Sequence, residues 1–415
     1  MGDSTETTFV TAVTAAAQLG GTERVLLDFA NQAFEHNITL RVLTPCDGPL
    51  VDILNKIGVP AEAVTAPEML LRGSQQVGAL SSIPGALVGL AKWSRQLRRH
   101  PFIREADVVY SVAFKAHVAL TLSRTHPVVW HLHEFPPAAT GAIWRWLARK
   151  IPDGVVANSH AVAKQWDNGT VGPWDSGTVG QTAPRAPRTT HVVHNGVNLD
   201  RFLVRERTGW IHRELGIPPD ARLIGMPAIF ARWKGQFEVI EAFEMIHEEF
   251  SDVHLVFVGG AIYDTVAERE YAGELERAVG RRETRIHLLP FQREIELAYS
   301  EFDLVVHYSL RPEPFGRVLI EGMACGVPVV AAAEGGPVEI LGDGIGPRRE
   351  AGWLVEPRDP ESLARILGSA LGLPREVLAS IGTAGRRRAE DLFSARRFAR
   401  EVAEIIKKTS TGRDA

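Results

Sequence analysis

Short runs of β-branched residues alternate with helical patterns in two successive series, and this repetition limits the fold more than any other feature of the chain. One series has strand-like runs at 8–14, 39–44, 108–112, 128–131, 154–157 and 191–194; a second begins at 223–226 and continues through 254–258, 286–289, 304–307 and 327–331. Strand then helix, repeated, builds parallel sheets wrapped by helices. Each series fills one doubly wound sheet, so the expected fold class is α/β with two Rossmann-like domains. A length of 415 residues, too long for one ordinary core, agrees with this. Arg205-Glu206-Arg207 and Pro218-Pro219 read as linker and turn. The domains are expected at 1–203 and 204–390, with 391–415 as a C-terminal helix packing back on the first.

Composition narrows the partners. Lys+Arg 46 against Asp+Glu 50 gives a formal charge of -4, without the cation excess that a nucleic-acid backbone requires. Cys46 and Cys325 stand far apart and match no disulfide framework or zinc spacing. An acidic N-terminus, Met1-Gly2-Asp3-Ser4-Thr5-Glu6, and the lack of any apolar run of about 18 residues lead to the expectation of a cytoplasmic protein. Residues 166–190 contain a direct repeat with a period of eight, rich in Gly, Pro and polar residues. They read as a mobile surface loop, from which Trp166 and Trp174 are expected to offer aromatic faces to an acceptor. The stretch from Ala91 to Ile103, with Lys92, Trp93, Arg95, Arg98 and Arg99, suits either a solvated helix face or peripheral contact with anionic lipid headgroups.

The most informative segment is Arg311-Pro-Glu-Pro-Phe-Gly-Arg-Val-Leu-Ile-Glu-Gly-Met-Ala-Cys-Gly-Val-Pro-Val-Val330. It follows a strand, turns at Pro314 and Gly316, and enters a short helix, so a strand's carboxyl end and a helix N-terminus coincide. Ligands of open α/β sheets bind at such strand ends, and helix N-termini favour phosphate. Glu313 and Glu321, eight positions apart, reach different parts of one elongated ligand. A carboxylate is a two-oxygen acceptor suited to a vicinal diol, as on a ribose or hexose.

This block resembles the E-x7-E signature of the large retaining GT-B glycosyltransferase family numbered four, including the Gly335-Gly336-Pro337-Val338-Glu339 that follows. His194-Asn195-Gly196-Val197 is similar to the family's NGVD segment, Trp233-Lys234-Gly235-Gln236 to its KG motif, and Gly20-Gly21-Thr22-Glu23 to its GGxE loop. The resemblance implies two domains facing across a cleft. It places Glu313 and His133 at the transferred sugar and Glu321 on the nucleotide ribose. Pro314, Phe315, Gly316 and Arg317 then lie along the sugar and distal phosphate, Gly20 and Gly21 face the donor, Lys234 meets the pyrophosphate, and Phe291 lies near the base. The family's arginine five residues before the lysine is Ile229 here, so either the site works with one cation or, the favoured expectation, Arg232 replaces it.

The expected activity is transfer of a sugar, with retention, from a nucleotide-diphosphate sugar (UDP by default) to a hydroxyl acceptor. No cofactor is expected. The pair His131 and His133 with Glu134 does not read as a metal site, and the chain has no two aspartates separated by one residue, so metal-independent chemistry is expected. Two other readings stay open: a nucleotide-sugar epimerase or hydrolase on the same fold, and a non-catalytic nucleotide-sugar-binding protein.

Overall fold

A computed structural model describes residues 7–67, 83–122, 126–138, 140–168, 190–263, 265–280, 285–342, 346–349 and 351–412. The chain divides into two units, Met1–Gly196 with Ala395–Ala415, and Val197–Ser394. The break falls between Gly196 and Val197, not at residue 203, because Val197 and Phe202 already belong to the core of the second unit. At the other end Phe393 still packs against Phe315, and the chain changes unit after Ser394.

The first unit is built on strands β1 (Thr8–Val13), β2 (Ile38–Thr44), β3 (Ala61–Ala63), β4 (Val108–Ser111), β5 (Val128–Leu132), β6 (Gly154–Ala157) and β7 (Thr190–Val192). They form one sheet in the order β3-β2-β1-β4-β5-β6-β7, parallel throughout. Inward residues alternate along each strand. Val10, Tyr110 and Val129 face a layer made by the helices Gly21–Ala30, Pro49–Lys56 and Ala395–Ser410, whose Phe398, Val402 and Ile406 are fully buried. Val13, Val109 and Trp130 face the opposite layer, where the helices Ile83–Arg99, Phe114–Leu122, Gly141–Lys150 and His160–Asn168 lie.

Two tryptophans stand differently from their expected roles. Trp93 is buried with Leu90 and Leu97 on the inner edge of the basic helix, and its indole N–H donates to the Val64 carbonyl at 2.8 Å. Trp166 is buried too, its N–H bonded to the Glu134 carbonyl at 2.8 Å, because it ends the apolar row of the helix His160–Asn168 instead of opening a loop. Trp174 lies outside the described residues.

The second unit repeats the plan with β8 (Arg222–Pro227), β9 (Val253–Gly259), β10 (Ile286–Pro290), β11 (Leu304–His307), β12 (Val329–Ala332), β13 (Gly346–Arg349) and β14 (Gly352–Val355). Their order is β10-β9-β8-β11-β12-β14-β13, and only the edge pair β13–β14 is antiparallel. In both sheets the order reverses direction beside the first strand, between β1 and β4 and between β8 and β11. Such switch points open the crevices in which doubly wound sheets bind ligands.

Near the start of β9, His254 Nδ1 lies 2.9 Å from His287 Nε2 of β10, with the rings stacked. Burial, then His287, Arg285 and His212, lower the His254 pKa to about 4, against the smaller opposing pull of Asp252. An unfolded histidine binds a proton near 6.5, so this pair's contribution is present above that pH and is lost as pH falls toward about 4. The Tm of the full chain is expected to fall between about pH 7 and about pH 5, with a shallower slope in His254→Gln. Differential scanning calorimetry across that range checks it; equal slopes would assign the acid sensitivity elsewhere.

Candidate functional site

Lys234 and Glu313 are carried by the loops that leave β8 and β11, the two strands flanking the second sheet's switch point. Lys234 Nζ is 2.8 Å from Glu313 Oε2. Ser309 Oγ donates to the same oxygen at 2.8 Å, and His307 Nε2 lies 3.2 Å from it. Burial alone pushes a carboxyl pKa up. Here the Lys234 ammonium and His307 outweigh burial and hold Glu313 well below the usual carboxylate range, so the group is an anion. Lys234 also lies over the Trp233 ring, 4.1 Å from its centroid.

Backbone crossings fix this cluster. Gly235 has φ +71°, and a Cβ there would lie 2.3 Å from the Tyr308 carbonyl oxygen, so the lysine turn presses directly on the chain leaving β11. Leu310 N–H donates to the Trp233 carbonyl at 2.8 Å. On the other side, Glu313 N–H donates to the Glu334 carbonyl at 3.2 Å and Gly336 N–H to the Glu313 carbonyl at 2.8 Å. A Cβ on Gly335, at φ +82°, would stand 2.2 Å from the Glu313 oxygen. Gly235 and Gly335 are therefore required by contact between loops.

Glu321 is buried in the helix Arg317–Ala324. Arg317, one turn earlier, reaches Glu321 Oε1 at 3.2 Å, and the Tyr299 hydroxyl donates to Oε2 at 3.1 Å. The helix starts at Gly316, φ 101°, with no side-chain cap, after Pro314 and the buried Phe315. Its first turn thus presents backbone donors toward the loop that carries Glu313. Phe291, directly after β10, is 39% exposed.

Arg232 is not brought to this cluster. Its guanidinium pairs with Glu274 at 2.6 Å and lies over the Tyr271 ring. Contact with a phosphate would require it to leave both partners, a small cost for an ion pair this exposed. Ile229, at the expected arginine position, uses its carbonyl to accept from Gln236.

In the first unit Gly20 precedes the helix Gly21–Ala30, and a Cβ on Gly21 would meet nothing within 4 Å. Glu23 in that helix's first turn is buried, and burial raises its pKa to about 7 against the Thr14 hydroxyl bond. His133 follows β5 and is buried, its ring 3.9 Å from that of His131. His131 shares a 2.5 Å hydrogen bond with Tyr110, and His117 bonds Ser111 at 2.6 Å and stacks on Trp130. Burial, then His133, lowers His117 to about 3 and His131 well below its ordinary value, so both rings are neutral. His307, Ser309 and Tyr299, which partner the two glutamates, were not singled out from sequence; the only signal for His307 was its place as last residue of a β-branched run.

Fold and site together define a doubly wound α/β protein with a largely, not fully, buried carboxylate–ammonium pair at a switch point. Residues 210–388 match the family described as "Glycosyl transferases group 1", and residues 19–173 match "Glycosyltransferase Family 4". The chain belongs to the family-four glycosyltransferases, of GT-B fold. It is 34% identical over 187 residues to a D-inositol 3-phosphate glycosyltransferase of Xylanimonas cellulosilytica, covering 44% of this chain and 42% of the relative. It is 30% identical over 230 residues to a GDP-mannose-dependent alpha-(1-6)-phosphatidylinositol monomannoside mannosyltransferase of Mycolicibacterium smegmatis, covering 53% and 56%. The chain thus spans about half the length of the curated relatives it matches. In fold it is similar to Anabaena HepE in complex with UDP-glucose, with a TM-score of 0.76, 24% identity and coverage of 96% and 99%. It is also similar to WaaG, a glycosyltransferase involved in lipopolysaccharide biosynthesis, with a TM-score of 0.63, 18% identity and coverage of 95% and 99%.

Removing one member of a buried ion pair leaves the other uncompensated. Lys234→Met is expected to cost about 3 kcal/mol of stability, and adding Glu313→Gln to recover most of that loss. Urea unfolding of the two single variants and the double variant measures the coupling; additive losses would contradict a pair that stabilises through its mutual charge.

Proposed function

We propose that the chain transfers a sugar from a nucleoside-diphosphate donor, UDP by default, to a hydroxyl of an acceptor, with retention at the anomeric carbon. The observation that carries this reading is the anionic Glu313 held against Lys234 at the mouth of the β8–β11 switch point, with Glu321 one short helix away. The similar proteins support it, since they include a UDP-glucose complex, a GDP-mannose-dependent enzyme and an inositol phosphate glycosyltransferase.

In this mechanism the bond from the anomeric carbon to the diphosphate oxygen breaks as the acceptor hydroxyl attacks the same face, and the hydroxyl proton passes to that phosphate oxygen. An ammonium has three donors, so Lys234 keeps Glu313 while meeting the growing phosphate charge, without a metal ion. The Arg317–Ala324 helix start adds its partial positive charge. Glu313, kept anionic, accepts hydrogen bonds from the sugar, and Glu321 accepts from the ribose in place of one of its present donors. Roles for His133, Gly20 and Gly21 rest on the family resemblance alone.

A second proposal concerns surroundings. Among the described residues no helix is long and apolar enough to cross a membrane. On one side of the first sheet, however, the helices Ile83–Arg99 and Gly141–Lys150 expose Lys92, Arg95, Arg98, Arg99, Arg149 and Lys150, together with Val88, Ile143 and Trp146. Basic residues flanking exposed apolar ones suit the surface of an anionic bilayer.

A thermal-shift screen of UDP, GDP, ADP and dTDP tests the first reading, since selective stabilisation follows from binding the native state. Glu321→Ala is expected to weaken binding of the free diphosphate about tenfold, as loss of a charge-assisted bond does. Glu313→Ala should cut turnover while changing diphosphate binding less than about twofold. Equal weakening in both variants would overturn this division of roles.

Co-sedimentation with anionic vesicles, salt-sensitive and lost in Ile143→Ser/Trp146→Ser, is the expected outcome for the second proposal. Equal recovery with neutral vesicles would remove it.

A further inference from the structure

Arg358 adopts a conformation that an arginine rarely takes. Among the described residues only Asn37 and Arg358 have positive φ without being glycine, at 54° and 60°. Asparagine tolerates the left-handed region; a long side chain does so only where its surroundings demand it. The turn that holds Arg358 follows β14. On its far side Asp359 caps the helix Pro360–Leu371 by accepting from Ser362 N–H at 2.9 Å, and Asp359 N–H donates to the Tyr308 hydroxyl at 2.6 Å.

From that turn the guanidinium reaches two separate loops. Nη1 donates to the Leu310 carbonyl at 3.1 Å and to Glu334 Oε2 at 2.5 Å, and Nη2 donates to Glu334 Oε1 at 3.3 Å. Leu310 lies in the loop between Ser309 and Glu313. Glu334 begins the Gly335-Gly336 turn whose backbone brackets Glu313 through the Glu313–Glu334 and Gly336–Glu313 hydrogen bonds. The backbone of Glu313 is therefore suspended between two anchors that one guanidinium joins.

Stability does not account for this arrangement. The pair is 51% and 28% exposed, and ion pairs of that kind return little, while the left-handed backbone works against the fold. The constraint falls instead on the peptide that presents the Glu313 carboxylate to Lys234.

Resting on the transferase reading above, we infer that Arg358 is a positioning residue: it clamps the Leu310 and Glu334 loops so that the carboxylate of Glu313 meets the donor sugar in one fixed place. It touches no reacting atom. Misplacing a positioned group by about an ångström costs up to about a hundredfold in rate, so loss of the clamp should appear in kcat.

Arg358→Gly separates the clamp from the fold, because glycine relieves the left-handed backbone while the guanidinium is removed. In the full chain its Tm is expected to equal or exceed that of the wild type. Hydrogen–deuterium exchange read by mass spectrometry should quicken at least about fivefold in peptides spanning 310–316 and 334–336, with β9 unchanged as the internal control. With a donor turned over, kcat should fall about tenfold while the donor KM stays within about twofold, and Glu334→Gln should reproduce the direction of both effects.

Unchanged exchange at 310–316 overturns the clamp, and quickened exchange with an unaltered kcat overturns the positioning role. The exchange measurement needs no substrate. A wild-type chain that binds no nucleotide and turns over no donor, yet shows quickened exchange in the variant, therefore sinks the transferase reading and leaves the clamp standing.

Discussion

The second domain is organised around a negative charge withdrawn from water. An isolated carboxylate in such a place would be costly, and ordinarily it would take up a proton. Glu313 does not, because an ammonium from the loop after β8, an imidazole at the end of β11 and a hydroxyl from the loop after β11 converge on one of its oxygens. That requirement explains local features that look unrelated in sequence. Gly235 lets the lysine turn lie on the Tyr308 carbonyl, Gly335 lets the next loop lie on Glu313 itself, and Leu310 bonds across to Trp233. Neither glycine contact tolerates a side chain in the way.

The first domain meets the same penalty in the opposite manner. His117 and His131 are buried without a counter-charge, stacked on Trp130 and beside His133, and they stay neutral. Tyr110, whose pKa is also driven upward by burial, remains a phenol bonded to His131. One sheet thus ends in paired charges and the other in uncharged rings.

Much of the architecture was legible because buried parallel strands are near-continuous β-branched runs, and eleven of the fourteen strands among the described residues announced themselves that way. The three that did not are informative. Ala61–Ala63 is too short and too plain to register, and Gly346–Arg349 with Gly352–Val355 forms the antiparallel edge, where glycine and arginine mask the pattern. Trp93 and Trp166 were misjudged because charge in one case and glycine content in the other drew attention from helical spacing: Leu90, Trp93 and Leu97 share one face, as do Val162 and Trp166. At the site, Glu313, Glu321 and Lys234 stood out through their motifs. The pairing of Arg232 with Glu274, and of Glu321 with Tyr299, joins residues far apart in the chain, and no local pattern encodes it.

The helix Ala395–Ser410 supplies Phe398, Val402 and Ile406 to the core beneath β1, β4 and β5, although the second domain lies between those strands and that helix in the chain. Synthesis therefore reverses the usual order of maturation. As the chain leaves the ribosome, the continuous stretch Val197–Ser394 is the first whose core is whole, while part of one face of the earlier-made sheet waits uncovered until the helix Ala395–Ser410 emerges. That interval leaves Tyr110, Val129 and Val156 without their final cover, so the first domain completes its core only after the second.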